Sequence, residues 1–116
     1  MSKRILLVEE DLIELNMLSQ LLTCKGYEVC TLSRSDKLFN EIPKCHPDLI
    51  LLDKGLKTID SGVLSRALKA IDTVSNIPVM VISGRSYTNV NTIIGRSSAV
   101  PDIDALVNEI EHQLAA

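Results

Sequence analysis

The chain has 116 residues, enough for one domain with one full core. Hydrophobic residues make up 46% of it, no apolar run approaches the length of a membrane span, and the polar start Met1-Ser2-Lys3-Arg4 leads into a predicted strand rather than a signal peptide. The net charge of −3 argues against direct binding of nucleic acid, which needs a basic face.

Ile5 to Val8 is a short apolar run that reads as the first strand and ends in Glu9-Glu10-Asp11. Asp11 followed by Glu14 has the spacing of a capping box, in which each end satisfies backbone amides at a helix start. Leu12, Leu15, Leu18 or Ser19, and Leu22 form a helical apolar stripe, and Gly26 lies where a left-handed helix stop belongs. Tyr27 to Leu32 is rich in strand formers and reads as the second strand. Ser33 or Ser35 is expected to cap a short helix carrying Leu38, Phe39 and Ile42, which Pro43 is expected to end. Cys24, Cys30 and Cys45 are odd in number and form no CxxC pair. They read as reduced thiols in a cytoplasm, two of them packed in apolar surroundings.

Leu49 to Leu52 is a continuous apolar run between Pro47-Asp48 and Asp53. Such a run reads as a third strand buried on both faces, the mark of a parallel sheet covered by helices. Asp53 is then the first residue to leave the sheet, and a loop follows through Lys54 to Ile59. Asp60 or Ser61 caps a third helix with Leu64, Ala67, Leu68 and Ile71 on one face. Ile77 to Ile82 is the fourth strand, and Ser83-Gly84 leave its end.

Residues 88–100 admit two readings. In one, Asn89 to Ile94 is a short or frayed helix and Ser97 to Val100 the fifth strand. In the other, Thr92 to Ile94 is the strand and the helix before it is lost to a loop. The first keeps the connection to the last helix short. That helix carries Ile103, Leu106, Val107, Ile110 and Leu114 on one stripe, with Asp102 and Asp104 at its positive N-terminus.

Strands alternating with helices predict an α/β fold: a doubly wound, five-stranded parallel sheet of order 2-1-3-4-5, with right-handed crossovers and the helix between strands four and five short or missing. In that order Glu9, Glu10 and Asp53 converge at the carboxyl edge of the sheet, where ligands bind. Crowded carboxylates are tolerable only if one is protonated or a cation sits among them. All-oxygen ligation with room for water suits Mg²⁺. A carboxylate beside such a cation can attack phosphorus, and Ser83 offers the transferred group a hydroxyl.

Taken together, Ile5-Leu6-Leu7-Val8-Glu9-Glu10-Asp11, Pro47-Asp48-Leu49-Ile50-Leu51-Leu52-Asp53 and Ile77-Pro78-Val79-Met80-Val81-Ile82-Ser83-Gly84 resemble a bacterial two-component response-regulator receiver domain. Pro101-Asp102-Ile103-Asp104-Ala105-Leu106 is similar to the start of that family's last helix. The resemblance covers nearly the whole chain, 1–116, and implies flavodoxin-like topology. It implies Asp53 as phosphoryl acceptor, Glu10 and Asp53 as side-chain ligands of Mg²⁺, Gly55 as a ligand through its carbonyl, and Glu9 acting partly through water. Ser83 would be the switch hydroxyl. The implied donor is a sensor histidine kinase or histidine phosphotransfer protein. The implied recipient is a downstream protein target or an output domain outside this chain, with no membrane and no nucleic acid bound directly.

The chain also departs from the family. Glu10 is one methylene longer than the usual Asp, and Val100 stands where a lysine normally contacts the acyl phosphate. Lys57 replaces a loop proline, and Ser97 or Ser98 falls where a switch aromatic is usual, with Tyr87 a candidate to stand in for it. Lys54, Lys57, Arg85 and Arg96 are candidate substitutes for the missing cation. These changes motivate a second reading, a pseudo-receiver that binds protein partners without phosphorylation. A third, an enzyme or cofactor carrier on a similar fold, is set aside. A flavodoxin needs a phosphate loop where Glu9-Glu10-Asp11 would repel phosphate, and a haloacid-dehalogenase-type phosphatase needs a second Asp where this chain has Gly55.

Overall fold

The computed structural model describes residues 2–82 and 103–115. Among the described residues four strands, β1 (Arg4–Val8), β2 (Glu28–Leu32), β3 (Leu49–Asp53) and β4 (Val79–Ile82), form a sheet of order β2-β1-β3-β4. All three pairings are parallel. This is the expected 2-1-3-4 order, and the two candidate segments for the fifth strand lie outside the described residues. Among the described residues four helices accompany the sheet: α1 (Leu12–Cys24), α2 (Leu38–Cys45), α3 (Ser61–Lys69) and α4 (Ile103–Ala115).

Period two along the inner strands sorts the core into two layers. Ile5, Leu7, Leu49, Leu51, Met80 and Ile82 pack with Leu15, Leu18 and Leu22 of α1 and with Leu106 and Ile110 of α4. Leu6, Val8, Ile50, Leu52 and Val79 pack with Leu38, Ile42 and Cys45 of α2 and with Leu64 and Leu68 of α3. Ile5 to Val8 and Leu49 to Leu52 are each 0% exposed, as their unbroken apolar runs predict. Each such side chain contributes on the order of 1.5–3 kcal/mol relative to full exposure.

The helix ends follow local chemistry. Asp11 caps α1, its side chain accepting the N–H groups of Ile13 and Glu14. Gly26, at φ 97°, closes α1. Its N–H donates to the Thr23 carbonyl and that of Tyr27 to the Leu22 carbonyl, the paired bonds of a Schellman stop. Asp60 caps α3 through the N–H of Val63.

Tertiary packing overrides several local expectations. Pro43 does not end α2, which runs to Cys45. Proline forfeits one backbone bond, but Ile42 and Cys45 are both buried against the sheet and hold the helical path past it. No serine side chain caps that helix either: a 3-10 turn, Ser35–Lys37, feeds into it and Ser35 is buried. Leu12 is 62% exposed, because the first turn of α1 stands beyond the end of β1. Cys30 and Cys45 are joined as a disulfide between β2 and α2 with Cα atoms 6.4 Å apart, in place of the expected reduced thiols. Both belong to the α2–α3 layer, which brings them together; Cys24 is free and exposed.

Candidate functional site

The strand phase that builds the core also builds the site. Val8 pairs with Leu52, so Glu9, just past the end of β1, stands beside Asp53, the residue after Leu52. Both continue the phase of Ile5, Leu7, Leu49 and Leu51, and so emerge on the α1–α4 side at the carboxyl edge. Asp53 is the last residue of β3 rather than the first beyond it, its Cα paired with that of Ile82. Glu9 is 2% exposed and Asp53 6%.

Glu14, from the first turn of α1, completes the group. Glu9, Glu14 and Asp53 each bring a carboxylate oxygen within 4.8 Å of the others. The expected capping box is therefore only half formed. Asp11 does accept the Glu14 N–H, but the N–H of Asp11 donates to Glu9 Oε2 at 3.1 Å instead of to Glu14. Reading Asp11 and Glu14 as a closed pair hid Glu14 as a site residue. The signal that could have found it is its place one turn above the sheet edge, next to Leu15, which faces the core.

Glu10 was expected to converge with Glu9 and Asp53 as a second side-chain ligand. It lies two residues past β1 and borders the cleft, but its carboxylate turns away from the other acids toward the loops before α2 and α3. Its Oε1 accepts the backbone N–H groups of Lys57 and Thr58, the latter at 3.2 Å, and its Oε2 accepts the Ser35 hydroxyl at 3.2 Å. Burial works against its charge, but hydrogen bonds from Thr58, Lys57 and Ser35 outweigh it and lower the pKa to about 2.

Asp53 Oδ2 accepts the Gly55 N–H at 2.9 Å. A Cβ at position 55 would stand 2.9 Å from that oxygen, so a side chain there would displace the end of the carboxylate. Burial raises the pKa of Asp53, aided by the charge of Glu14 and opposed by the Gly55 N–H. Burial likewise raises Glu9 to about 8, with Asp53 and Glu14 adding to it and the Asp11 N–H opposing it. Glu9 Oε1 is buried and accepts no hydrogen bond.

A buried carboxylate oxygen with no donor, beside two further carboxylates, calls for a proton or a cation. The donor set is hard oxygen throughout and lines an open cleft of about 420 Å³, which fits Mg²⁺ retaining some of its water. Lys57 also lines this cleft and Lys54 does not. Ser83, Arg85, Tyr87, Arg96, Ser97, Ser98 and Val100 lie outside the described residues. A larger apolar groove of about 550 Å³, bounded by Phe39, Pro47, Ile71 and Ile77, lies toward the opposite edge of the sheet and carries no carboxylate.

Residues 5–97 match the family profile described as "Response regulator receiver domain". Over 85 residues the chain is 33% identical to "Transcriptional regulatory protein PrrA" of Mycobacterium leprae (strain TN), a match covering 73% of this chain and 36% of that protein. The chain thus spans little more than a third of the length of that curated relative. Among solved structures it is similar to a sensor protein from Polaromonas sp. JS666, with a TM-score of 0.79 and 15% identity over 97% of this chain and 96% of the other. It is also similar to the signal receiver domain of a signal transduction histidine kinase from Syntrophus aciditrophicus, with a TM-score of 0.76 and 18% identity over 98% and 91%. At these identities the likeness to the two structures shows the fold alone.

Proposed function

The chain belongs to the response regulator receiver-domain family, phosphoacceptor modules of two-component signal transduction, and from that membership we propose that Asp53 is its phosphoryl acceptor. The observation that carries the reading is the convergence of the Glu9, Glu14 and Asp53 carboxylates within 4.8 Å at the carboxyl edge of the sheet.

In the proposed step a carboxylate oxygen of Asp53 attacks the phosphorus of a phosphohistidine on the donor protein. The oxygen–phosphorus bond forms as the phosphorus–nitrogen bond breaks, and the nitrogen keeps the electron pair. Attack of water on the resulting acyl phosphate restores the carboxylate and releases inorganic phosphate. The Gly55 N–H holds Oδ2 and so fixes the plane of the carboxylate before attack. The buried β3 backs the group with apolar side chains and keeps water from its rear. Glu9, Asp53 and the Gly55 carbonyl would hold Mg²⁺, which neutralises charge on the transferring group. Ser83, next in sequence after Ile82, is proposed as the hydroxyl that meets the phosphoryl group.

Receiver domains interact with histidine kinases or phosphotransfer proteins, and we assign the donor of this chain to that class. Its recipient is proposed to be a separate protein or an output domain on a longer chain. The name of the relative PrrA, a transcriptional regulatory protein, makes a DNA-binding output one form of the latter. Among the described residues no helix is long and apolar enough to cross a membrane; a cytoplasmic setting is proposed from the family.

The test is labelling by a small phosphodonor with and without Mg²⁺, read by intact mass. A single Mg²⁺-dependent phosphoryl adduct on wild type, absent from Asp53→Asn, is expected. No adduct on wild type, or an equal one on Asp53→Asn, would reject Asp53 as acceptor and leave the pseudo-receiver reading.

A further inference from the structure

We propose that the side chains holding the cation in this chain are Glu9, Asp53 and Glu14, with Glu14 taking the place expected of Glu10, and that Glu10 is a strap on the loop after β3. The inference rests on the reading of the acid cleft as a Mg²⁺ site.

Carboxylate position separates the two glutamates. Glu9, Glu14 and Asp53 bring oxygens within 4.8 Å of one another, whereas Glu10 borders the same cleft with its oxygens outside that group. Hydrogen bonding then fixes each in its role. Both oxygens of Glu10 are engaged, Oε1 by the N–H groups of Lys57 and Thr58 and Oε2 by the Ser35 hydroxyl. Those three donors belong to the β3–α3 loop and to the turn before α2, so Glu10 ties two loops to the end of β1. It borders the cleft, but to ligate a cation there it would have to give up hydrogen bonds from those donors.

Glu14 is free of the competing task its spacing suggests. Glu9 Oε2, not Glu14, accepts the Asp11 N–H, while Asp11 Oδ1 accepts the Glu14 N–H at 3.1 Å and fixes its backbone. Glu9 supplies an independent sign of a ligand. It is 2% exposed, it lines the cleft, and its Oε1 accepts no hydrogen bond. A hard cation shared with Glu14 and Asp53 satisfies that oxygen. The extra methylene at position 10 is then no distortion of the metal site, because the Glu10 carboxylate is not among its ligands.

Mn²⁺ serves as the probe, with free ion counted by electron paramagnetic resonance in titrations of the whole chain. Glu14→Gln is expected to weaken Mn²⁺ binding about tenfold or more, since ligand charge sets affinity at such sites. Glu10→Gln is expected to leave Mn²⁺ binding unchanged while lowering the unfolding temperature. Unchanged far-ultraviolet circular dichroism for Glu14→Gln shows that its loss is not unfolding. Weakened binding in Glu10→Gln with intact binding in Glu14→Gln overturns the inference and leaves the cation reading standing. No binding by wild type overturns both, and phosphoryl labelling of Asp53 then judges the acceptor role separately.

Discussion

The Gly55 N–H donates to Asp53 Oδ2 at 2.9 Å, and a methyl group placed on Gly55 would stand equally close to the same oxygen. Backbone and side chain are thus locked two residues apart, and the orientation of the proposed acceptor depends on the absence of a Cβ. Gly55→Ala must push the carboxylate aside. Misplacing a reacting group by an ångström can cost on the order of a hundredfold in rate. We expect Gly55→Ala to slow phosphoryl uptake from a small donor by about ten- to a hundredfold while the protein stays folded. Uptake at the wild-type rate would show that this contact does not position Asp53.

The buried acids make stability depend on pH. Burial, with Asp53 and Glu14 adding to it, raises Glu9 from 4.5 to about 8. The folded protein therefore keeps a proton that the unfolded chain has lost. The stabilisation is full below about 4.5, declines as pH rises toward about 8 and is absent above it. Asp53, also raised by burial, acts in the same sense. Urea midpoints of the chelator-treated protein should fall across this window, and Glu9→Gln should flatten the fall. Saturating Mg²⁺ should also flatten it, since a cation that binds only the folded state replaces the proton. A midpoint that rises with pH would contradict the assignment.

Glu10 gives the opposite sign. Burial opposes its charge, but hydrogen bonds from Thr58, Lys57 and Ser35 bring it from 4.5 to about 2, so its contribution is present above 4.5 and lost as pH falls through about 2. Hydrogen bonds to a charged group are worth about 1.5–3 kcal/mol, and Glu10→Ala should destabilise by about that amount near neutrality. The gap to wild type should narrow in acid. An unchanged gap at low pH would mean that shape and not charge holds the two loops.

Core position decides the cost of losing a leucine. Leu51 is 0% exposed within the α1–α4 layer, and Leu51→Ala should cost about 2–5 kcal/mol. Leu12 lies on the same sequence stripe as Leu15 and Leu22 but is 62% exposed, and Leu12→Ala should change stability by less than about 0.5 kcal/mol. Denaturant midpoints of the two variants check both values, and equal losses would place Leu12 in the core.

Much of the fold was legible because its signals are local and consistent. Continuous apolar runs at Ile5–Val8 and Leu49–Leu52 mark strands buried on both faces, and both are fully buried. Asp11 and Gly26 mark the ends of α1 through side-chain and left-handed backbone chemistry, and both act there. Pro43 was misleading because a proline is read as a local break, whereas burial of Ile42 and Cys45 on either side of it sustains the helix. Cys30 and Cys45 could not be paired from spacing, since their meeting depends on how α2 packs over β2.

For the site, the sequence by itself determined that acids follow β1 and that a carboxylate ends β3, because a buried strand must deliver its next polar residue to the sheet edge. That much already brings Glu9 and Asp53 together, far apart in sequence but in equal phase. Which third acid joins them was decided only by the tertiary structure. Glu10 borders the cleft but commits its carboxylate to the Lys57–Thr58 amides, while Glu14 is brought in by a helix whose docking no local pattern specifies. Packing of α1 on the sheet, rather than adjacency in the chain, thus sets the composition of the acid cleft.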